Sequence, residues 1–197
     1  MSSPPSGPSV FDGIPSLYDG IAKIYRWDWN AGNAGAFETQ PLLANEFLSA
    51  FGGSAPGNKK TILLTHGWND KLDHGADDEF MSRFARDLML GRTANEIASE
   101  YSVLAVDWYG EGLRRVLGSN PNLLPPIIDF ISPYGAFDDA LKSSVNGINI
   151  GKVLANELRA AGIGPAHLSN LMLIGHSNGA GFMGSLAKKL FQLTGEK

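Results

Sequence analysis

Three short runs of uninterrupted apolar residues punctuate the chain: TILLT at 61–65, SVLAV at 102–106 and LMLI at 171–174. Their length and β-branched content are those of strands buried on both faces of a parallel sheet, where neither face calls for polar alternation. Between the first two runs, Phe80, Phe84 and Leu88 recur at i, i+4 and i+8 behind Asp77, Asp78 and Glu79. This predicts a helix whose first turn attracts negative charge. Between the second and third, Val145, Ile148, Val153, Leu154 and Leu158 line one side of a second predicted helix, which Gly162 stops. The segment AGFMGSLAKKLF after the third run continues as a third helix. Strand, helix, strand, helix, strand, helix is the order of an α/β fold, in which right-handed crossovers make the strands parallel and lay helices on both faces.

The pattern upstream is less regular. Ile24, Tyr25, Trp27 and Trp29 within IAKIYRWDW (21–29) suit a strand better than a helix, and GGSAPGNKK (52–60) is a loop by its glycine and proline content. Residues 1–20 form a disordered or extended lead, the first nine carrying three prolines and four serines. One domain, 21–197, remains, and no internal repeat divides it.

Composition agrees with a single folded unit: 43% of the 197 residues are hydrophobic and 18% charged, enough to bury a domain-sized core. The net charge of −4 and the absence of any basic cluster larger than Lys59 with Lys60, Arg114 with Arg115 or Lys188 with Lys189 argue against a nucleic-acid partner. Cysteine is absent, which excludes disulfides and thiolate metal sites and leaves the compartment unread. No stretch approaches the ~20 apolar residues of a spanning helix, and no charged and apolar leader opens the chain.

The chemistry concentrates after the third run, in LMLIGHSNGAG (171–181). A serine that is to attack a carbonyl needs a sharp turn between strand and helix, because only there does its hydroxyl clear the sheet. Glycines on both sides permit that backbone. Gly175, Ser177 and Gly179 have that spacing, His176 lies within it, and a strand and a helix flank it. In a chain with 24 glycines the bare pattern is weak, and the competing reading is a serine capping a glycine-rich helix start. A second loop leads to the same edge. TILLTHGWND ends its strand at Thr65 and continues through His66, Gly67 and Trp68 at the carboxyl edge of the sheet, where ligands bind in such folds. Gly67 lets backbone approach a reacting group, so the amides of Trp68 and Asn178 would form an oxyanion hole. The competing reading there is a histidine and a tryptophan that pack the sheet edge.

The blocks ILLTHGWND, VLAVDWYG, SSVNGINIGKVLANEL and HLSNLMLIGHSNGAG, taken in order and spacing, resemble the pancreatic and lipoprotein lipase group of the α/β-hydrolases over about residues 61–190. The resemblance implies an α/β-hydrolase core with Ser177 as nucleophile and the amides of Trp68 and Asn178 as oxyanion donors. It implies a lipid or other carboxylic ester as substrate, transient contact with a lipid interface, secretion, and no metal or cofactor. Acyl transfer to another acceptor on the same fold, and a lipase-shaped binding protein without catalysis, are the alternatives.

Two features depart from that group. The stretch 111–137 is long for its place. Its apolar run, with Leu123, Leu124, Ile127 and Ile128, would line an acyl site or cover it, or else pack a core of its own. The second departure concerns the base. In α/β-hydrolases the acid and then the histidine follow the serine, yet the residues after Ser177 hold no Asp or His and only Glu196 as an acid. The sheet's last strands, with the triad acid and histidine, are therefore expected beyond Lys197, and the 197-residue chain is expected to be a poor catalyst. Of the upstream histidines, His66 belongs to the oxyanion loop, His176 points away from Ser177, His167 lies at the opposite sheet edge, and His74 alone sits on the correct one. Asp70, Asp73, Asp77, Asp78 and Glu79 do not fit a calcium loop and read as helix-start charges. Asp107 in VDWYG reads as structural.

Overall fold

The computed structural model describes residues 22–31, 35–54, 59–67, 72, 80–108 and 135–195. Among the described residues five strands form one sheet: β1 Ala22–Asp28, β2 Ala36–Phe37, β3 Lys60–Thr65, β4 Tyr101–Trp108 and β5 Leu171–Gly175, in the order β2-β1-β4-β3-β5. The three strands predicted from uninterrupted apolar runs are parallel, with Thr65 beside both Val106 and Gly175. The sheet as a whole is mixed rather than parallel, because β1 pairs antiparallel with β4 and β2 pairs antiparallel with β1. A strand reached without a crossover helix is free to run the other way.

The helices are α1 Phe47–Ala50, α2 Phe80–Asp87, α3 Ala94–Glu100, α4 Gly135–Ala160, α5 Pro165–Leu168 and α6 Gly179–Thr194. They divide between two cores, one on each side of the sheet. Leu63, Leu104 and Val106 face Ile150, Leu154 and Leu158 of α4 and Phe182, Met183 and Leu186 of α6. Ile62, Leu64, Val103 and Ala105 face Met81 and Ala85 of α2 and Ile97 of α3, together with Tyr25, Trp27 and Phe37. Alternate residues of β3 and β4 thus enter opposite cores, which is why their sequences show no polar alternation. The chain leaves β3 toward β4 on one side and returns to β5 on the other. Such a reversal opens a crevice at the carboxyl ends of the strands.

Two helical expectations are corrected in detail. The buried stripe of α4 runs through Gly147, Ile150, Gly151, Leu154, Ala155 and Leu158, while Val145 and Ile148 are exposed. The glycines, invisible to a count of apolar residues, are the contact face. A Cβ at Gly151 would meet the Phe182 carbonyl oxygen at 2.5 Å, and one at Gly147 would meet the Trp108 ring at 3.1 Å. In α2 the fully buried residues are Met81, Ser82 and Ala85, with Phe80 and Phe84 only partly covered at the rim of their core. The lead 1–20, the acidic helix start at 77–79, Asp70, Asp73, His74 and the run holding Leu123, Leu124, Ile127 and Ile128 lie outside the described residues.

Candidate active site

The strand β5 hands over to α6 within three residues. His176 extends the ladder by one step, its amide donating to the Thr65 carbonyl at 3.0 Å. The chain then reverses through two tight bonds, Gly179 N–H to His176 O at 2.8 Å and Ala180 N–H to Ser177 O at 3.0 Å. At the apex Ser177 takes φ 53°, the one positive φ of a non-glycine residue among the described residues, and it is exposed. A β-carbon in this region costs of order 1–2 kcal/mol. The serine therefore occupies the conformation that glycine would fill most cheaply.

The flanking glycines are fixed by space rather than by φ. A Cβ on Gly175 would overlap the Gly179 carbonyl and lie 2.6 Å from Ala180 N. A Cβ on Gly179 would lie 2.5 Å from His66 O and 3.0 Å from Thr65 O. Since these obstacles are backbone atoms, neither site admits a side chain unless the turn moves. Gly67 completes the approach from the neighbouring loop, where a Cβ would stand 2.9 Å from Ser177 Cβ and 3.2 Å from His176 O. The carboxyl ends of β3 and β5 thus meet backbone to backbone at Ser177.

The loop leaving β3 is held by His66, whose ring is buried. Its Nδ1 donates to the Gly67 carbonyl at 2.8 Å. Its Nε2 lies 2.9 Å from Asp107 Oδ1 and 3.1 Å from the amide of Trp108. When the ring is neutral the Trp108 amide serves Nε2, and when it is charged the Asp107 carboxylate does. The ring stacks on Trp108, with centroids 5.7 Å apart and planes 6° from parallel, and Trp108 stacks in turn on Phe182 of α6 at 5.8 Å. Asp107 acts beyond this pair: burial first, and its charge second, push the Tyr25 hydroxyl above its ordinary pKa.

The sequence assigned Ser177, Asn178, His66, Gly67, Gly175, His176 and Gly179 to one site, and the structure brings these residues together at one sheet edge. Trp68, the second proposed amide donor, lies outside the described residues, as does the apolar run proposed for the acyl group. His176 sets its ring against Phe80, with centroids 5.4 Å apart. His167 is at the opposite end of the sheet, accepting from Gly164 N–H at 3.1 Å and donating to Gly53 O at 2.8 Å. Two contacts escaped the sequence reading. Asp107 reads as structural from the sequence, but its partner does not show there, although it and His66 each stand one residue beyond paired strand positions, Val106 and Thr65. The bond from Ser144 Oγ to Asn178 Oδ1, 3.0 Å long, joins residues 34 apart and left no local signal.

The site's chemistry follows from these placements. An exposed hydroxyl stands at the start of a 16-residue helix whose first amides and dipole favour developing negative charge. Among the described residues, no group of three or more His, Asp or Glu side chains is placed to hold a metal ion, and no helix is long and apolar enough to cross a membrane. No protein-family model matches the chain, and no curated protein matches it either.

Proposed function

We propose that this chain carries the nucleophile turn and oxyanion loop of a serine-dependent carboxylic ester hydrolase, lipase-like and built on the α/β-hydrolase plan. The observation that carries the reading is Ser177 itself: an exposed, non-glycine residue held at φ 53° between a half-buried parallel edge strand and a helix N-terminus. Strain of this kind persists only where the surroundings impose it, and a capping serine has no use for it. Asn178, the residue at the cap position, lies in helical conformation, with φ −60° and ψ −21°.

In the proposed reaction Ser177 Oγ releases its proton to solvent water and bonds to the carbonyl carbon of the ester, and the carbonyl oxygen takes the negative charge. The amides of Asn178 and Trp68 stabilise that oxygen. Collapse expels the alcohol, which takes up a proton, and leaves an acyl-serine that water resolves. His66 does not take the serine proton, since both its ring nitrogens are committed to Gly67, Asp107 and Trp108. Its part is to hold the oxyanion loop against the turn. His167 is likewise engaged at the far edge of the sheet. The substrate class, acylglycerol or phospholipid ester, and a lipid interface as the place of action belong to the same proposal and rest on the resemblance in the four sequence blocks.

Acylation tests this reading directly. Incubation with p-nitrophenyl butyrate and p-nitrophenyl decanoate, followed by peptide mass mapping, is expected to place the acyl group on Ser177 in preference to every other serine. The adduct should be released by hydroxylamine and be absent in Ser177→Ala. Acylation spread evenly over exposed serines would overturn the proposal.

A further inference from the structure

Asparagine at a helix N-cap ordinarily turns its side chain back to accept from the amides of its own first turn. Asn178 occupies that position at the head of α6 and makes no such bond. Its side-chain oxygen instead accepts from Ser144 Oγ at 3.0 Å, across to α4. The contact lies within a tightly fixed stretch of that helix. One turn on, Gly147 approaches Trp108 and the Phe182 Cβ, and Gly151 approaches the Phe182 carbonyl so closely that neither admits a Cβ without displacement. This part of α4 and the first turns of α6 therefore share one rigid boundary. Ser144 ties it to the residue that follows the strained serine.

We propose that Ser144 is a positioning residue, which orients the backbone amide of Asn178 as oxyanion donor by anchoring the Asn178 side chain to α4. This rests on the reading of Ser177 as nucleophile and deepens it. The direction of the Asn178 N–H is set by two torsions, ψ of Ser177 and φ of Asn178. The serine torsions sit in a sparsely populated region from which relaxation is downhill. A side chain fixed at Asn178 resists rotation about the second torsion and so opposes that relaxation. The donor is thereby aimed before any substrate arrives, the arrangement in which an oxyanion donor is most effective.

The test uses the full chain and an alkyl fluorophosphonate, with the rate of Ser177 modification resolved into a binding constant and a maximal rate constant. Ser144→Ala is expected to lower the maximal rate about three- to tenfold, the effect of one neutral hydrogen bond, with the binding constant unchanged. Ser144→Thr should restore it. In an Asn178→Leu background Ser144→Ala should have no further effect, because the two residues act as one unit. A purely structural role would instead lower the unfolding midpoint and leave the folded protein's maximal rate at the wild-type value, which would overturn the proposal. Hydrogen exchange of the amides at 176–180 provides a measure independent of reactivity. It should accelerate in Ser144→Ala and return to the wild-type rate in Ser144→Thr, and unchanged exchange would overturn the anchoring. If wild-type Ser177 is no more reactive than other serines while exchange responds as expected, the nucleophile reading fails and the proposed oxyanion role fails with it.

Discussion

On the proposed reading Ser177 sets two requirements against each other, a side chain for chemistry and a backbone that disfavours one. Ser177→Ala keeps the β-carbon at positive φ and so keeps the strain, whereas Ser177→Gly removes both. Glycine is expected to be the more stable variant by about 1 kcal/mol, the relief in the left-handed region less the added chain entropy. Denaturant midpoints for the pair would show this, and a less stable glycine variant would contradict the strained-turn account. His66 carries the opposite burden, since its ring is buried and bonded at both nitrogens. His66→Ala is expected to cost about 2–4 kcal/mol in urea unfolding, through lost stacking and through polar groups left unpaired around Asp107 and Trp108. At this scale the sequence was informative about Ser177, Gly175 and Gly179, because glycine spacing and strand-to-helix order are local. It was silent on the partners of Asp107 and Ser144, which lie 41 and 34 residues away. Polar residues paired over such distances leave no periodicity to read.

The elements follow from similar distinctions. β3 and β4 were legible because strands buried on both faces leave uninterrupted apolar runs. The face of α4 was misread because its contact residues include Gly147 and Gly151, which a search for large apolar side chains passes over. Close helix approach is encoded there by what is missing. At α3 the start signal is explicit: Thr93 and Glu96 form a reciprocal cap, with Glu96 Oε2 accepting from Thr93 N–H at 2.7 Å and from Thr93 Oγ1 at 2.8 Å. These bonds hold the Glu96 carboxyl below its ordinary value of 4.5. A carboxyl depressed in the folded state contributes stability above the unfolded value and loses it as pH falls through the folded one. Glu96→Gln should therefore flatten the loss of stability below about pH 4.5 relative to wild type, measured as urea midpoints between about pH 6 and 3. Parallel acid limbs for the two proteins would show that the cap contributes nothing in the native state.

For the whole molecule, the α/β class and the three parallel strands were readable from element order, since crossover handedness leaves few ways to connect them. The direction of β1 was not, because alternation along a strand is the same whichever way it runs. The arrangement that results converges on one point. β3 and β5 end side by side, α6 begins at their junction, α4 braces its first turns, and β4 supplies Asp107 and Trp108 to hold the adjoining loop. The central claim is that this convergence, rather than the serine alone, makes Ser177 reactive. The most direct measurement is the rate at which a fluorophosphonate modifies Ser177, mapped by peptide mass, in the native chain and in the same chain unfolded in urea. A turn and an oxyanion donor built by the fold predict modification at least about a hundredfold faster in the native state, the scale that a single oxyanion donor contributes. Equal rates in the two states would contradict the account.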